Sequence, residues 1–306
     1  MFPSSLPALA ALFFAALAHA SARMPIGGET TSQRIIGGKP APLSSFPSVV
    51  SLQILTASGV GFCGGTLVTD SLVVTAAHCV YNYNTGGTWP IGGMRVGLGN
   101  VVLAEQHFDH VLSVHVHPDF DPREPRNDIA VLEIPSITGR VGGAAPATIY
   151  TGSLEPRMRL TAVGWGRTTT GGGGRLPDRL QQTEIAVGEV ASCRRFVPRF
   201  ESSNGPQICT ENRLMPGTDT CQGDSGTGVF AMMDGRMYLA GLTSYGANLA
   251  GDPTCALNDG YAIYTHVAYY RAFIDGLSRS LNLRKRRQGR RRPSHGKIAV
   301  HARPNP

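Results

Sequence analysis

The sequence predicts an all-β protein organised as a barrel or sandwich, and three observations predict it. Short apolar or alternating runs recur between turn signals at residues 48–52, 65–68, 72–75, 111–116, 129–132, 160–163 and 237–242. They are of strand length and rich in β-branched residues. The 306 residues include 38 Gly and 21 Pro, which punctuate many turns and leave little room for long helices. Only one stretch, Val267, Tyr270, Phe273, Ile274, Leu277 and Leu281, has helical spacing, and it predicts an amphipathic helix that closes the domain.

Along the chain, residues 1–20 read as a secretory signal peptide. An apolar run from Leu6 to Ala18 is too short to span a bilayer, and small-x-small sites follow it, so cleavage is expected after Ala20 or after Ala22. A short polar, Gly-containing segment (21–34) ends at Arg34 and gives way to Ile35-Ile36-Gly37-Gly38. The strand-rich body occupies 35–282, interrupted at 171–174 by four glycines whose composition predicts a mobile loop. Residues 283–306 hold nine Lys/Arg and no Asp or Glu, with too little apolar content to fold alone. The net charge of +7 comes from that tail: the rest has 19 basic and 21 acidic residues. The basic balance therefore does not mark a nucleic-acid-binding body, and no nucleic-acid partner is expected. The tail suits contact with anionic glycans or a membrane surface through residues 284–297, or is a plain disordered extension.

Six cysteines follow the signal: Cys63, Cys79, Cys193, Cys209, Cys221 and Cys255. Their even number points to three disulfides and a secreted, extracellular protein, with fifteen pairings open. No Cys-x-x-Cys pair suggests a zinc site. His107, His110, His115 and His117 invite a metal reading, His115 and His117 sharing one strand face. Surface histidines on a strand are the commoner case, so no metal and no cofactor are expected.

The chemistry concentrates at Asp219-Thr220-Cys221-Gln222-Gly223-Asp224-Ser225-Gly226. A Gly-Asp-Ser-Gly turn exposes a hydroxyl and leaves backbone N–H groups free to meet a substrate oxygen. By itself it also reads as an ordinary turn. A serine nucleophile needs a base and a group to orient that base. His78, in Thr75-Ala76-Ala77-His78-Cys79, and Asp128, leading Asn127-Asp128-Ile129-Ala130-Val131-Leu132, supply the candidates in the order His, Asp, Ser.

With these motifs, and with Phe62-Cys63-Gly64-Gly65, Gly164-Trp165-Gly166, Ser244-Tyr245-Gly246 and Tyr264-Thr265-His266-Val267, the chain resembles the trypsin/chymotrypsin family of serine endopeptidases over about residues 35–281. The resemblance implies two six-stranded antiparallel β-barrels with a C-terminal helix and an active site in the cleft between them. It implies His78 as general base, Asp128 as its orienting partner, Ser225 as nucleophile, and the N–H groups of Gly223 and Ser225 as the oxyanion hole. Amide hydrolysis would run through an acyl-enzyme on Ser225, and activity should fall in acid as the base is protonated. A non-catalytic member would be expected to lack one of these residues, and all are present. Arg34-Ile35 matches the zymogen cleavage site, which makes 21–34 an activation propeptide and Asp224 the partner of the new Ile35 α-ammonium. Asp219 matches the base of the primary specificity pocket, with Ser244, Gly246 and Ala262 as walls, so cleavage after Arg or Lys of protein and peptide substrates is expected. The family disulfides map as Cys63–Cys79, Cys193–Cys209 and Cys221–Cys255, and a monomer is expected.

The sequence departs from the family at three of these places. Thr227 follows Gly226 where Gly is usual, which is expected to disturb the turn behind Ser225. Ala262 stands where Gly is usual, and its methyl is expected to narrow the slot, a change worth ~1–3 kcal/mol, slowing the enzyme or skewing its choice between Arg and Lys. Tyr261 replaces Pro; members with Tyr there bind sodium nearby, so a sodium effect on rate is expected. The acidic calcium loop of animal trypsins is not recognisable at 99–105, and calcium is not expected.

Overall fold

The computed structural model describes residues 35–57, 59–168 and 176–290. The signal peptide, the propeptide with Arg34, the four-glycine loop and the end of the basic tail lie outside the described residues.

The first half carries β1 (Lys39–Pro40), β2 (Val49–Thr56), β3 (Gly59–Leu67), β4 (Leu72–Thr75), α1 (Ala77–Val80), β5 (Tyr81–Asn82), β6 (Gly87–Thr88), β7 (Met94–Leu98), β8 (His107–His110), β9 (Ser113–Val116) and β10 (Ala130–Glu133). The second half carries β11 (Arg159–Gly164), β12 (Gln181–Ala186), α2 (Val190–Phe196), β13 (Gln207–Glu211), β14 (Gly228–Met233), β15 (Arg236–Asn248), β16 (Gly260–His266) and α3 (Arg271–Arg290).

Two antiparallel sheets result, ordered β8-β7-β2-β3-β4-β10-β9 and β1-β12-β11-β14-β15-β16-β13. In the first, β8 and β9 lie at opposite ends of the order, yet only Val111 and Leu112 separate them in sequence. The sheet must therefore curl until its edges meet, and β8 and β9 act as two halves of one bent strand. In the second, β12 and β13 close through the Val187–Thr210 bridge and the hydrogen bond from Gly188 N–H to Cys209 O at 2.8 Å. The two-residue β1 is an appendage on β12. Each sheet is thus a six-stranded barrel, and closure removes the unpaired edges that an open sheet would expose.

Each barrel has its own apolar filling. Val50, Leu52, Leu67, Val73, Val96 and Leu132 pack inside the first, and Leu160, Ile185, Ile208, Val229, Ala240 and Tyr264 inside the second. A third cluster joins the barrels: Val74, Ile129 and Val131 meet Val163, Trp165, Phe230 and Leu242. Trp165 is fully buried there and donates its indole N–H to Val101 O at 3.0 Å, tying one barrel to the other.

The helix places Ile274 and Leu281 on this same cluster, and Tyr270 joins it from the turn just before, as the spacing predicts. It continues past the boundary at residue 283 to Arg290. Leu, Arg, Lys and Gln are good helix formers, and the next proline is Pro293. His115 and His117 are half-buried rather than exposed. His115 Nε2 lies 3.0 Å from Ser113 Oγ, and the His117 ring packs edge-on against Tyr270 and Phe273 just past the end of β9. Burial lowers the pKa of both.

Candidate active site

Four segments bring polar side chains to the seam. β4 ends in α1, a single turn that carries His78. Asn127-Asp128 leads into β10, the Cys221–Gly226 turn leads into β14, and β15 carries a bulge. The bulge falls where the β15–β16 register slips between Thr243 and Tyr245, leaving Ser244 without a cross-strand partner. A bulge bends its strand and re-aims the extra side chain, and the Ser244 hydroxyl points at Asp128.

Asp128 is 1 % exposed and is held from three directions. Its Oδ2 lies 2.7 Å from His78 Nδ1 and accepts the Ser244 hydroxyl at 2.5 Å, while Oδ1 accepts the His78 backbone N–H at 2.9 Å. Thr265 Oγ1 donates to the Asp128 carbonyl at 2.7 Å. Burial is the largest influence on this carboxyl and pushes it up. The His78 charge and the hydrogen bonds from His78 and Ser244 outweigh it and hold the group below the usual carboxylate range. An ionised carboxylate only accepts, so in a neutral ring the proton sits on Nδ1 and the lone pair is left on Nε2. Asn127 makes the approach possible. It adopts a left-handed φ of 53°, donates Nδ2–H to Asp119 O at 2.7 Å, and accepts the Tyr270 hydroxyl at 3.0 Å.

The Ser225 turn depends on its glycines. Gly223 (φ 101°) and Gly226 (φ 76°) lie in the region that favours residues without a β-carbon. A β-carbon on Gly226 would also strike Thr75 Oγ1 and stand 2.9 Å from Ala76 N, two residues before His78. Gly64 N–H donates to Ser225 O at 2.8 Å. The serine is thus clamped against β3 and the end of β4, the strand that leads into the histidine turn. Within the turn, the N–H groups of Asp224, Gly226 and Thr227 donate to Cys221 O, Thr243 O and Asp224 O. Those of Gly223 and Ser225 have no acceptor among the described residues and are free for a ligand oxygen. No hydrogen bond joins Ser225 Oγ to His78 among the described residues; such contacts tighten when substrate binds.

Thr227 does not disturb this turn. It is fully buried, its N–H completes the turn at 2.9 Å from Asp224 O, and its side chain fills the space left by Gly64, where a β-carbon would collide with Thr227 Oγ1. The cost is a buried hydroxyl with no hydrogen-bond partner.

Beside Ser225 opens a pocket of ≈ 210 Å³, lined by Asp219, Ser225, Ser244, Gly246 and Ala262 among others. Asp219 is buried, and its Oδ2 accepts Asn212 Nδ2–H at 2.9 Å and Ala256 N–H at 2.8 Å. Burial raises the pKa of this carboxyl, against the hydrogen bonds from Ala256, Asn212 and Thr220. Behind the pocket, Tyr261 stacks on Phe196 at 5.3 Å. Its hydroxyl lies 3.0 Å from Ser192 Oγ, which donates to the buried Glu211 at 2.6 Å.

Asp224 faces away from the pocket and is fully buried. Its two oxygens accept the N–H groups of Gly166 at 2.7 Å and Cys221 at 2.9 Å, and no cation reaches it among the described residues. Burial pushes its carboxyl up to about 7, against the hydrogen bonds from Cys221 and Gly166. Ile35 is also fully buried, with a left-handed φ of 45°, and Ile36 pairs with Asp219.

Three disulfides staple the site: Cys63–Cys79 beside His78, Cys193–Cys209 between α2 and β13, and Cys221–Cys255 across the pocket. Cys63, His78 and Cys79 bring three potential metal donors together, but both sulfurs are tied in the disulfide and offer no thiolate.

A family model described as Trypsin matches residues 35–274. The chain belongs to the trypsin family. It is 30% identical over 266 residues to Serine protease 1 of Rattus norvegicus, covering 87% of this chain and 97% of that protein. It is 31% identical over 246 residues to Trypsin-1 of Astacus astacus, covering 77% of this chain and 96% of that protein. It is 29% identical over 245 residues to Transmembrane protease serine 11G of Rattus norvegicus, covering 79% of this chain but 54% of that longer protein. This trypsin-family chain is a serine endopeptidase. No helix among its described residues is long and apolar enough to cross a membrane.

Several residues of the trypsin-family site do not announce themselves in the sequence. Asn212 and Ala256 bind Asp219 from positions 7 and 37 residues away, and Thr265 holds Asp128 across 137. Asn127 alone carries a local signal, since Asn tolerates left-handed backbone.

Proposed function

We propose that this protease is secreted as a zymogen and hydrolyses peptide bonds after basic residues through an acyl-enzyme on Ser225. His78 takes the serine proton on Nε2 and returns it to the leaving amine, while Asp128 holds the ring in the required tautomer. The free N–H groups of Gly223 and Ser225 stabilise the oxyanion, each such donor being worth ~2.7–4 kcal/mol of barrier. The observation that carries the specificity is Asp219, a buried carboxylate lining the same pocket as Ser225. A basic side chain entering from the serine would end on that carboxylate, and an apolar one would leave its charge buried and unpaired.

Activation by cleavage after Arg34 is supported by Asp224, a fully buried carboxylate that among the described residues accepts two backbone N–H groups and meets no cation. An α-ammonium freed on Ile35 would supply the missing cation, and ordering of the oxyanion turn would follow. Because Arg34 is itself a basic residue, the mature enzyme would activate its own precursor.

The test is to express the chain, activate it with trypsin, inhibit the trypsin selectively, and assay Arg-, Lys- and Phe-amide substrates beside Ser225→Ala and Arg34→Gln. Wild type should cut the Arg or Lys amides, Ser225→Ala none, and Arg34→Gln should stay inactive. Equal inactivity of wild type and Ser225→Ala on all three would remove the proposed chemistry; preference for Phe would remove the Asp219 reading alone.

The basic end of α3 favours a second contact, with an anionic glycan. Arg284, Arg286 and Arg287 are exposed within one helical turn past Leu281, where the apolar stripe ends. Leu283 is the one apolar residue from 282 to 290, so a bilayer finds no face to embed in it. Retention on heparin that falls in an Arg284, Arg286, Arg287→Ala variant would support this. Equal retention, or binding only to anionic vesicles, would refute it.

A further inference from the structure

The Asp219 carboxylate already accepts three protein donors, and the consequence rests on its proposed role as receptor of a basic side chain. An ionised carboxylate oxygen offers about two acceptor positions. Both positions on Oδ2 are taken, by Asn212 Nδ2–H at 2.9 Å and Ala256 N–H at 2.8 Å. Neither donor is placed to swing aside. Asn212 is buried, with Gly260 so close that a β-carbon there would stand 2.7 Å from its Nδ2. The Ala256 donor is backbone, next to the Cys221–Cys255 disulfide and held at φ 60°. The Thr220 backbone N–H is a third donor to this carboxylate, so with Oδ2 filled a substrate meets Oδ1.

A guanidinium binds a carboxylate best as a fork, one N–H to each oxygen, and here one prong lacks an acceptor. An ammonium is a compact point charge with rotatable donors and is satisfied by one carboxylate oxygen and whatever else is near. Thr220 lines the same pocket, and its Oγ1 lies 3.2 Å from the Tyr264 hydroxyl. When the tyrosine donates, the threonine oxygen remains a second acceptor.

The width of the pocket points the same way. Gly246 and Ala262 are directly paired across β15 and β16 and face one side. A β-carbon on Gly246 would stand 3.6 Å from the Ala262 methyl. That methyl stands in the pocket wall, where a broad planar group loses more room than a slender methylene chain with a small head.

We infer that this protease cleaves after Lys in preference to Arg, with Asn212 and Ala262 as the residues that set the preference.

The test uses activated enzyme, its concentration fixed by titration with a serine-directed fluorophosphonate. Two peptide amides that differ only in Lys or Arg before the scissile bond are compared by kcat/KM. n-Butylamine and n-butylguanidine, which reach only this pocket, are compared as competitive inhibitors. Wild type should favour Lys by about tenfold, the value of one hydrogen bond to a charged group. Asn212→Ala and Ala262→Gly should each raise kcat/KM for Arg, draw the ratio toward unity by about three- to tenfold, and tighten n-butylguanidine more than n-butylamine. A wild-type ratio at or below one overturns the inference, as does a ratio unmoved in both variants. If one variant yields no titratable enzyme, the wild-type ratio and the other variant decide. Cleavage of neither substrate, with a Phe amide cut instead, would fail the Asp219 reading itself and is thereby distinguished.

Discussion

The Ser244 hydroxyl donates to Asp128 Oδ2 at 2.5 Å, the same oxygen that meets His78 Nδ1 at 2.7 Å. Ser244 also lines the pocket over Asp219, so one bulged residue joins the wall of the proposed specificity slot to the acid behind the histidine.

Removing that hydroxyl should loosen the acid. The Ser244 hydrogen bond helps hold Asp128 below its ordinary range, so Ser244→Ala should let its pKa rise. A depressed carboxyl contributes stability above its unfolded pKa and loses it as pH falls through the folded value. The acid-side loss of stability should therefore move to higher pH in the variant. Thermal unfolding from pH 2 to 6 checks this, and an unchanged acid limb would show that the contact is incidental.

Asp128→Asn should keep the fold and lose the rate. An amide can turn its N–H toward Nδ1, which reverses the tautomer and puts the imidazole proton on Nε2, where the serine needs a lone pair. The expected fall in kcat is on the order of 10⁴-fold, the size of the loss when the acid of a Ser–His–Asp triad becomes an amide. Active-site titration and near-UV circular dichroism separate this from unfolding.

Asp224 should make the uncleaved chain sensitive to pH. Its carboxyl rises from 3.8 to about 7 on burial. A raised folded pKa contributes stability that is fully present below the unfolded value and is lost as pH rises through the folded one. Uncleaved Arg34→Gln protein should lose stability between about pH 4 and 7, by at most ~4 kcal/mol, and Asp224→Asn should abolish that slope. Denaturant melts across this range test it; parallel curves for the two proteins would count against an unpaired Asp224.

Thr227→Val should stabilise the protein. The Thr227 hydroxyl is buried without a partner, and valine keeps the shape while removing the polar atom. A gain of about 1 kcal/mol, or about 2–4 °C in Tm, is expected with activity retained. A loss of stability would mean that the hydroxyl has a partner, such as a buried water.

Much of this was legible locally. The residue 72–75 run is β4 with all four residues buried, and the residue 129–132 run is β10 but for one residue. The helical spacing of Tyr270, Ile274 and Leu281 matches the face that packs on the joint core. The two glycines around Asp224-Ser225 carry the positive φ that their type allows. Strand periodicity could indicate a barrel or a sandwich without choosing, because curling depends on which edges meet. The bent β8–β9 strand and the Val187–Thr210 bridge settle that point.

Sequence by itself determined the candidate groups: His78, Asp128 and Ser225, the carboxylate of Asp219, and the small residues that let their backbones turn. Such features are properties of residue type and short spacing. Tertiary structure alone decided where their hydrogen bonds go. The partners of Asp128 and Asp219 come from segments up to 137 residues away, and lone pairs are filled by whichever donors the closed barrels bring within reach. Thr227 illustrates the division. Its identity suggested a disturbed turn, and the missing side chain of Gly64, 163 positions earlier in the numbering, gave it room.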